Sequence, residues 1–123
     1  GIAESGFKKL ALFMLESAGG APSARIRVEK LIVAYIRWAQ DNKSLFRIMF
    51  GRELADLKKF PTLAMTAGKS YSLLSQALSK RENGTENTAF LSVAVWSLCH
   101  GLATLVIDEK VSPAHFGAND LQD

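Results

Sequence analysis

Ala89-Phe90-Leu91-Ser92-Val93-Ala94-Val95-Trp96-Ser97-Leu98-Cys99-His100-Gly101-Leu102-Ala103-Thr104-Leu105-Val106-Ile107 is a run of nineteen residues without a charge. A helix that is apolar on every face has to be covered on every face, either by its own protein plus a second copy or by lipid. On a wheel of 100° per residue the run separates into three faces. Trp96 and His100 share one face with Ala89, Val93, Ala103 and Ile107. Nearly opposite stands an aliphatic stripe of Leu91, Val95, Leu98, Leu102 and Val106, and between the two lie the small residues Ala94, Ser97, Gly101 and Thr104. If the Trp96/His100 face packs inward, leaving the five stripe residues in water forgoes roughly 8 to 15 kcal/mol at about 1.5 to 3 kcal/mol each. That is as large as the whole stability of a domain, about 5 to 15 kcal/mol.

Three covers for the stripe are open: helices of the same chain, a membrane, or the same helix of a second copy. The small residues allow close approach of another helix, and a two-fold contact is the commonest arrangement in soluble oligomers. Ser92, Ser97, His100, Gly101 and Thr104 dilute a membrane span, and the other helical segments are ordinary amphipathic ones, so no membrane partner is expected.

Upstream, Phe7, Leu10, Ala11, Met14 and Leu15 recur at helical spacing between Glu4 and Ala18, and Gly19-Gly20 ends that helix. Pro22 and Ser23 open a second helix, to about Asp41, with Ser23 as cap. Asp41 or Asn42 caps a short third, Ser44 to Phe50, which Gly51 stops. Residues 52–60 fit either a turn of helix or a loop. Pro61 suits the first turn of a fourth helix reaching about Arg81, and Asn83-Gly84 is a stop signal. Thr85 is a candidate cap for the long helix, Asp108-Glu109-Lys110 breaks it, and Ser112-Pro113 has the pattern of a further helix start. With no alternating strand pattern, the expected fold is all-α, a bundle of five to six helices in one domain spanning residues 1–123.

Composition narrows the function. Of 123 residues, 48% are hydrophobic and 22% charged, which is globular. Fifteen Lys/Arg against twelve Asp/Glu leave a charge of only +3, and no basic run exceeds two residues. A phosphate-tracking stripe is therefore not expected within this chain. One cysteine, Cys99, precludes an internal disulfide and suits a reducing cytoplasm. The start at Gly1 carries no secretion signal, and the lack of an initiator Met fits a chain that begins partway through a longer protein.

Catalysis is not expected. Cys99 and His100 are neighbours on a helix, point about 100° apart and cannot share a proton. His115 is the only other histidine, no ligand spacing surrounds His100, and no Gly-rich phosphate loop exists, so no metal and no cofactor are expected. What the chain offers instead is a set of aromatic and methionine side chains: Tyr35, Trp38, Phe46, Met49, Phe50, Met65, Tyr71 and Trp96. Such residues either line an apolar small-molecule pocket or form plain core. His100 is either a structural histidine bonded to a backbone carbonyl, Tyr35 or water, or a contact to that ligand.

Two stretches carry a resemblance. Tyr35-Ile36-Arg37-Trp38-Ala39-Gln40-Asp41-Asn42-Lys43-Ser44-Leu45-Phe46-Arg47-Ile48-Met49-Phe50-Gly51 and Trp96-Ser97-Leu98-Cys99-His100-Gly101-Leu102-Ala103-Thr104-Leu105 together resemble the C-terminal regulatory domain of TetR-type bacterial transcriptional repressors. The likeness is to the subgroup with a Trp-x-x-x-His-Gly-Leu-Ala signature. Lys43 stands where a proline is usual, and Trp38 where phenylalanine is common. The resemblance implies a cytoplasmic homodimer. Its interface is expected at Leu91, Ala94, Val95, Ser97, Leu98, Gly101, Leu102 and Leu105. It also implies a small apolar effector held among the aromatic residues and His100, and operator DNA held by a helix-turn-helix head ahead of Gly1, with half-sites roughly 34 to 36 Å apart. Ligand would then release DNA, through the helix carrying Phe7 to Leu15. The competing class is a helical protein-interaction module without a small-molecule ligand.

Overall fold

Ser23 sets the start of the second helix through its hydroxyl, which accepts the Ile26 N–H at 3.2 Å. A computed structural model of the chain describes residues 1–51, 65–81 and 87–112, and all its regular structure there is helical. Five helices follow in order: α1 Ile2–Ala18, α2 Ala24–Asp41, α3 Lys43–Met49, α4 Lys69–Ser79 and α5 Thr88–Ile107. The expected all-α bundle is observed. Residues 52–64, 82–86 and 113–123 lie outside the description, and with them Pro61, Asn83, Gly84, Thr85, Pro113 and His115.

Helix ends follow local chemistry. Gly20 supplies the positive φ of 76° that turns the chain after α1, and the Ala18 carbonyl accepts both the Ala21 N–H at 3.3 Å and the Arg27 guanidinium at 3.1 Å. Asn42 holds the N-cap position of α3, but its side-chain amide turns back to the Trp38 carbonyl at 2.9 Å and does not cap. The cap of α5 is Asn87, whose side-chain oxygen accepts the Phe90 N–H at 3.0 Å, in place of the expected Thr85. Residues 65–67 are helical and give way to a turn at Gly68 before α4 begins, so the expected single fourth helix is interrupted.

The core is built where α1, α2, α4 and α5 meet, around Phe7, Leu10, Met14, Leu31, Tyr35, Ile36, Leu74 and Cys99. α1 also carries α3. Gly6 faces Met49 so closely that an added Cβ would lie 2.5 Å from its sulfur and 3.2 Å from Leu45 Cδ1. Met49 is itself fully buried and has little room to yield. Gly6→Val is expected to lower stability by about 1 to 3 kcal/mol, measured by urea denaturation, because overpacking forces α1 and α3 apart.

The expected orientation of α5 needs correction. Its most buried residues are Ser92, Cys99, Ala103, Val106 and Ile107, while Trp96 and His100 are only partly buried. The aliphatic stripe divides. Val106 is buried, Val95 and Leu102 pack against the core, and Leu98 stays exposed. The reason is that α2 and α4 both pack on α5, from adjacent sides, and together they cover an arc centred on Cys99 rather than one centred on Trp96 and His100. The uncovered arc carries Phe90, Val93, Leu98 and Leu105. α5 is long and apolar enough to cross a membrane, with mean hydropathy 1.9, yet only 28% of that window is buried inside the protein.

Candidate functional site

α2, α3 and α5 converge on an aromatic cluster. Tyr35 comes from α2, Phe46 from α3, Phe50 from just after α3, and Trp96 and His100 lie one turn apart on α5. The imidazole is the hub. The indole of Trp96 stacks on it at 5.6 Å and 14°, Phe46 lies at 5.5 Å and 28°, and Phe50 at 4.3 Å. Tyr35 meets Phe46 edge-on at 5.9 Å. Phe7 of α1 meets Phe50 edge-on at 5.2 Å, which extends the cluster to a fourth helix.

Its polar atoms are few and specific. Tyr35 Oη lies 2.9 Å from His100 Nδ1. Burial, and after it the neighbouring Cys99, raises the Tyr35 phenol above its ordinary range, so the phenol keeps its proton, and the imidazole tautomer sets which of Oη and Nδ1 donates in the bond between them. Burial lowers the His100 pKa, which favours the neutral imidazole. Beside it, the Trp96 indole N–H is buried with no hydrogen-bond partner among the described residues. A buried donor left unpaired costs about 1 to 3 kcal/mol. Cys99 is fully buried, and burial pushes its thiol up to about 12, which makes it a poor nucleophile.

The neutral histidine has a pH signature. A group whose folded pKa lies below its unfolded one binds fewer protons in the native state, so stability falls as pH drops below the unfolded value, ordinarily 6.5. His100→Asn keeps an acceptor for Tyr35 and removes the titration. Urea stability of the wild type is expected to fall more steeply than that of His100→Asn between pH 7 and pH 5, and parallel curves would contradict the buried neutral imidazole.

Of the residues expected to hold a ligand, Tyr35, Phe46, Phe50, Trp96 and His100 come together. Trp38 is buried in the core one turn along α2, Met49 is buried against Gly6, Tyr71 is half-buried on α4, and Met65 is 76% exposed. Among the residues expected at a dimer contact, Ser97, Leu98, Gly101 and Leu105 are exposed and Leu91 and Ala94 partly so, whereas Val95 and Leu102 pack against the core. The sequence reading missed Phe7 as a member of the aromatic cluster, though its place on the apolar face of α1 is visible. It also missed Arg47, which donates to the Ile107 carbonyl at 3.3 Å and to Asp108 at 3.0 Å. Nothing in the spacing of residues sixty-one apart announces that pair. Two grooves among the described residues, one between α1 and α2 and one between α1 and α4, do not include His100 in their lining.

The described residues thus form a helical bundle in which α5 leaves an apolar arc uncovered and an aromatic cluster gathers around His100. The family model described as "Tetracyclin repressor-like, C-terminal domain" matches residues 28–121, and the chain belongs to that family. Domains of this kind are in general the soluble, non-enzymatic ligand-binding and dimerisation parts of transcription regulators. No curated protein and no solved structure matches the chain.

Proposed function

We propose that residues 1–123 form the effector-sensing and dimerising domain of a cytoplasmic bacterial repressor, and that a small apolar molecule entering beside Trp96 and His100 releases operator DNA. The DNA is held by a helix-turn-helix head ahead of Gly1. The unpartnered Trp96 indole N–H carries this reading. Protein interiors pair such groups, and a donor kept free against a neutral imidazole suits a ligand that brings an acceptor. The surroundings select its body: the stacked rings of Trp96 and Phe46, with the tilted Phe50 beside them, favour a flat, uncharged, apolar molecule.

A second copy covers the open arc of α5. Gly101 supports this, since a Cβ there meets nothing within 4 Å among the described residues. A glycine inside a helix costs about 1 kcal/mol relative to alanine, and no intramolecular contact requires it. Close approach of a partner helix does.

The test is a thermal-shift screen of flat aromatic ketones, quinones and lactones against the wild type, followed by titration of any stabilising compound into Trp96→Phe. Phenylalanine keeps the stack and deletes the N–H. Affinity is expected to fall about tenfold, the loss of one buried hydrogen bond, while His100→Ala weakens binding with the dimer intact. Equal affinity in both variants, or no stabilising compound, rejects this site.

A further inference from the structure

A groove sharing no residue with the His100 cluster runs between α1 and α2 with a volume of about 570 Å³. Phe13, Val33 and Ala34 give it an apolar floor, and Ser17, Lys30 and Arg37 line its edges. Lys30 and Arg37 are seven apart on α2 and so share a face. The Arg37 Nε is buried and has no hydrogen-bond partner, and neither Lys30 nor Arg37 forms an ion pair among the described residues. Glu29 also borders the groove, but its carboxylate is engaged by Arg25 at 3.2 Å. The groove therefore joins an apolar floor to two cations with no counter-charge of their own.

A buried guanidinium N–H without an acceptor is costly, and the geometry of its Nε and Nη donors matches a carboxylate in a two-pronged contact. A hydroxyl or an amine lacks that match. We propose that the α1–α2 groove binds a small amphipathic carboxylate, its acid group on Arg37 and Lys30 and its apolar body on Phe13, Val33 and Ala34. The site is independent of the effector pocket proposed above, and the two fail separately because they share no residue.

The probe is octanoate below its micellar concentration, with octanol and octylamine as matched controls, followed in ¹H–¹⁵N spectra that include the arginine Nε–H and tryptophan Nε1–H signals. Octanoate is expected to shift the Arg37 Nε–H and to bind at least about tenfold more tightly than octanol. Arg37→Gln should weaken octanoate by a similar factor. Lys30→Gln, at an exposed position that folding does not depend on, should weaken it severalfold. Octanol binding as well as octanoate overturns the proposal. So does unchanged affinity in Lys30→Gln and Arg37→Gln, a shift confined to the Trp96 indole, or no binding at all.

Discussion

Replacing Leu98 and Leu105 together by arginine is expected to convert the proposed dimer into a folded monomer. Both side chains stand on the uncovered arc of α5, Leu98 at 66% exposure and Leu105 at 42%, so each keeps apolar surface for a contact outside its own chain. Burying a leucine fully is worth about 1.5 to 3 kcal/mol, and the exposed parts of these two together amount to roughly one leucine, so the pair forfeits roughly 1.5 to 3 kcal/mol on one side of the contact, or about 10- to 10²-fold in the dissociation constant. A two-fold axis presents each change twice and sets like charges against each other, so the loss is expected at or beyond the upper end. Sedimentation should report the monomer and circular dichroism an unaltered helix content. A variant that sediments like the wild type would remove α5 from the interface.

Phe46→Ala is expected to be the most damaging single truncation near the site. The ring is 2% exposed and touches Tyr35, Phe50 and His100. Loss of a buried phenylalanine costs about 3 to 5 kcal/mol through lost transfer energy and the cavity left behind. Against a domain stability of about 5 to 15 kcal/mol, that lowers Tm by roughly 10 to 20 °C. Calorimetry and chemical denaturation measure both. A cost below about 1 kcal/mol would mean that the rings line a space already open rather than a packed core.

Both predictions concern residues that the sequence singled out, and the route by which it did so differs between them. Ser23, Pro22 and the Gly19-Gly20 pair have strong local meaning, and α1 and α2 begin and end accordingly. α5 is legible as a helix because nothing charged interrupts it. Its rotation is not, because a helix apolar on all faces gives periodicity nothing to grip. The deepest positions are the small ones, Ser92, Cys99 and Ala103, where α2 and α4 approach closely. The side chain of Ser92 is satisfied within its own helix, donating to the Thr88 carbonyl at 2.7 Å, so a polar residue can occupy the innermost face. Tyr35 and His100 were readable as possible partners, since a buried imidazole needs one, but the choice among tyrosine, carbonyl and water is made by tertiary structure. Met65 fits the apolar period of a continuous fourth helix. The turn at Gly68 breaks that period, and the side chain lies outside the cluster.

α3 is only seven residues long, yet it is pinned at three points. Met49 presses on Gly6 of α1, Phe50 meets Phe7, and Arg47 is tied to the last carbonyl of α5 and to Asp108. A short rod clamped in this way cannot shift at one end alone. Any wedge driven between His100 and the two phenylalanines must either break the Arg47 tether or push α1 aside at Phe7. α3 thus ties the foot of α5, through Arg47, to the first helix, through Met49 and Phe50.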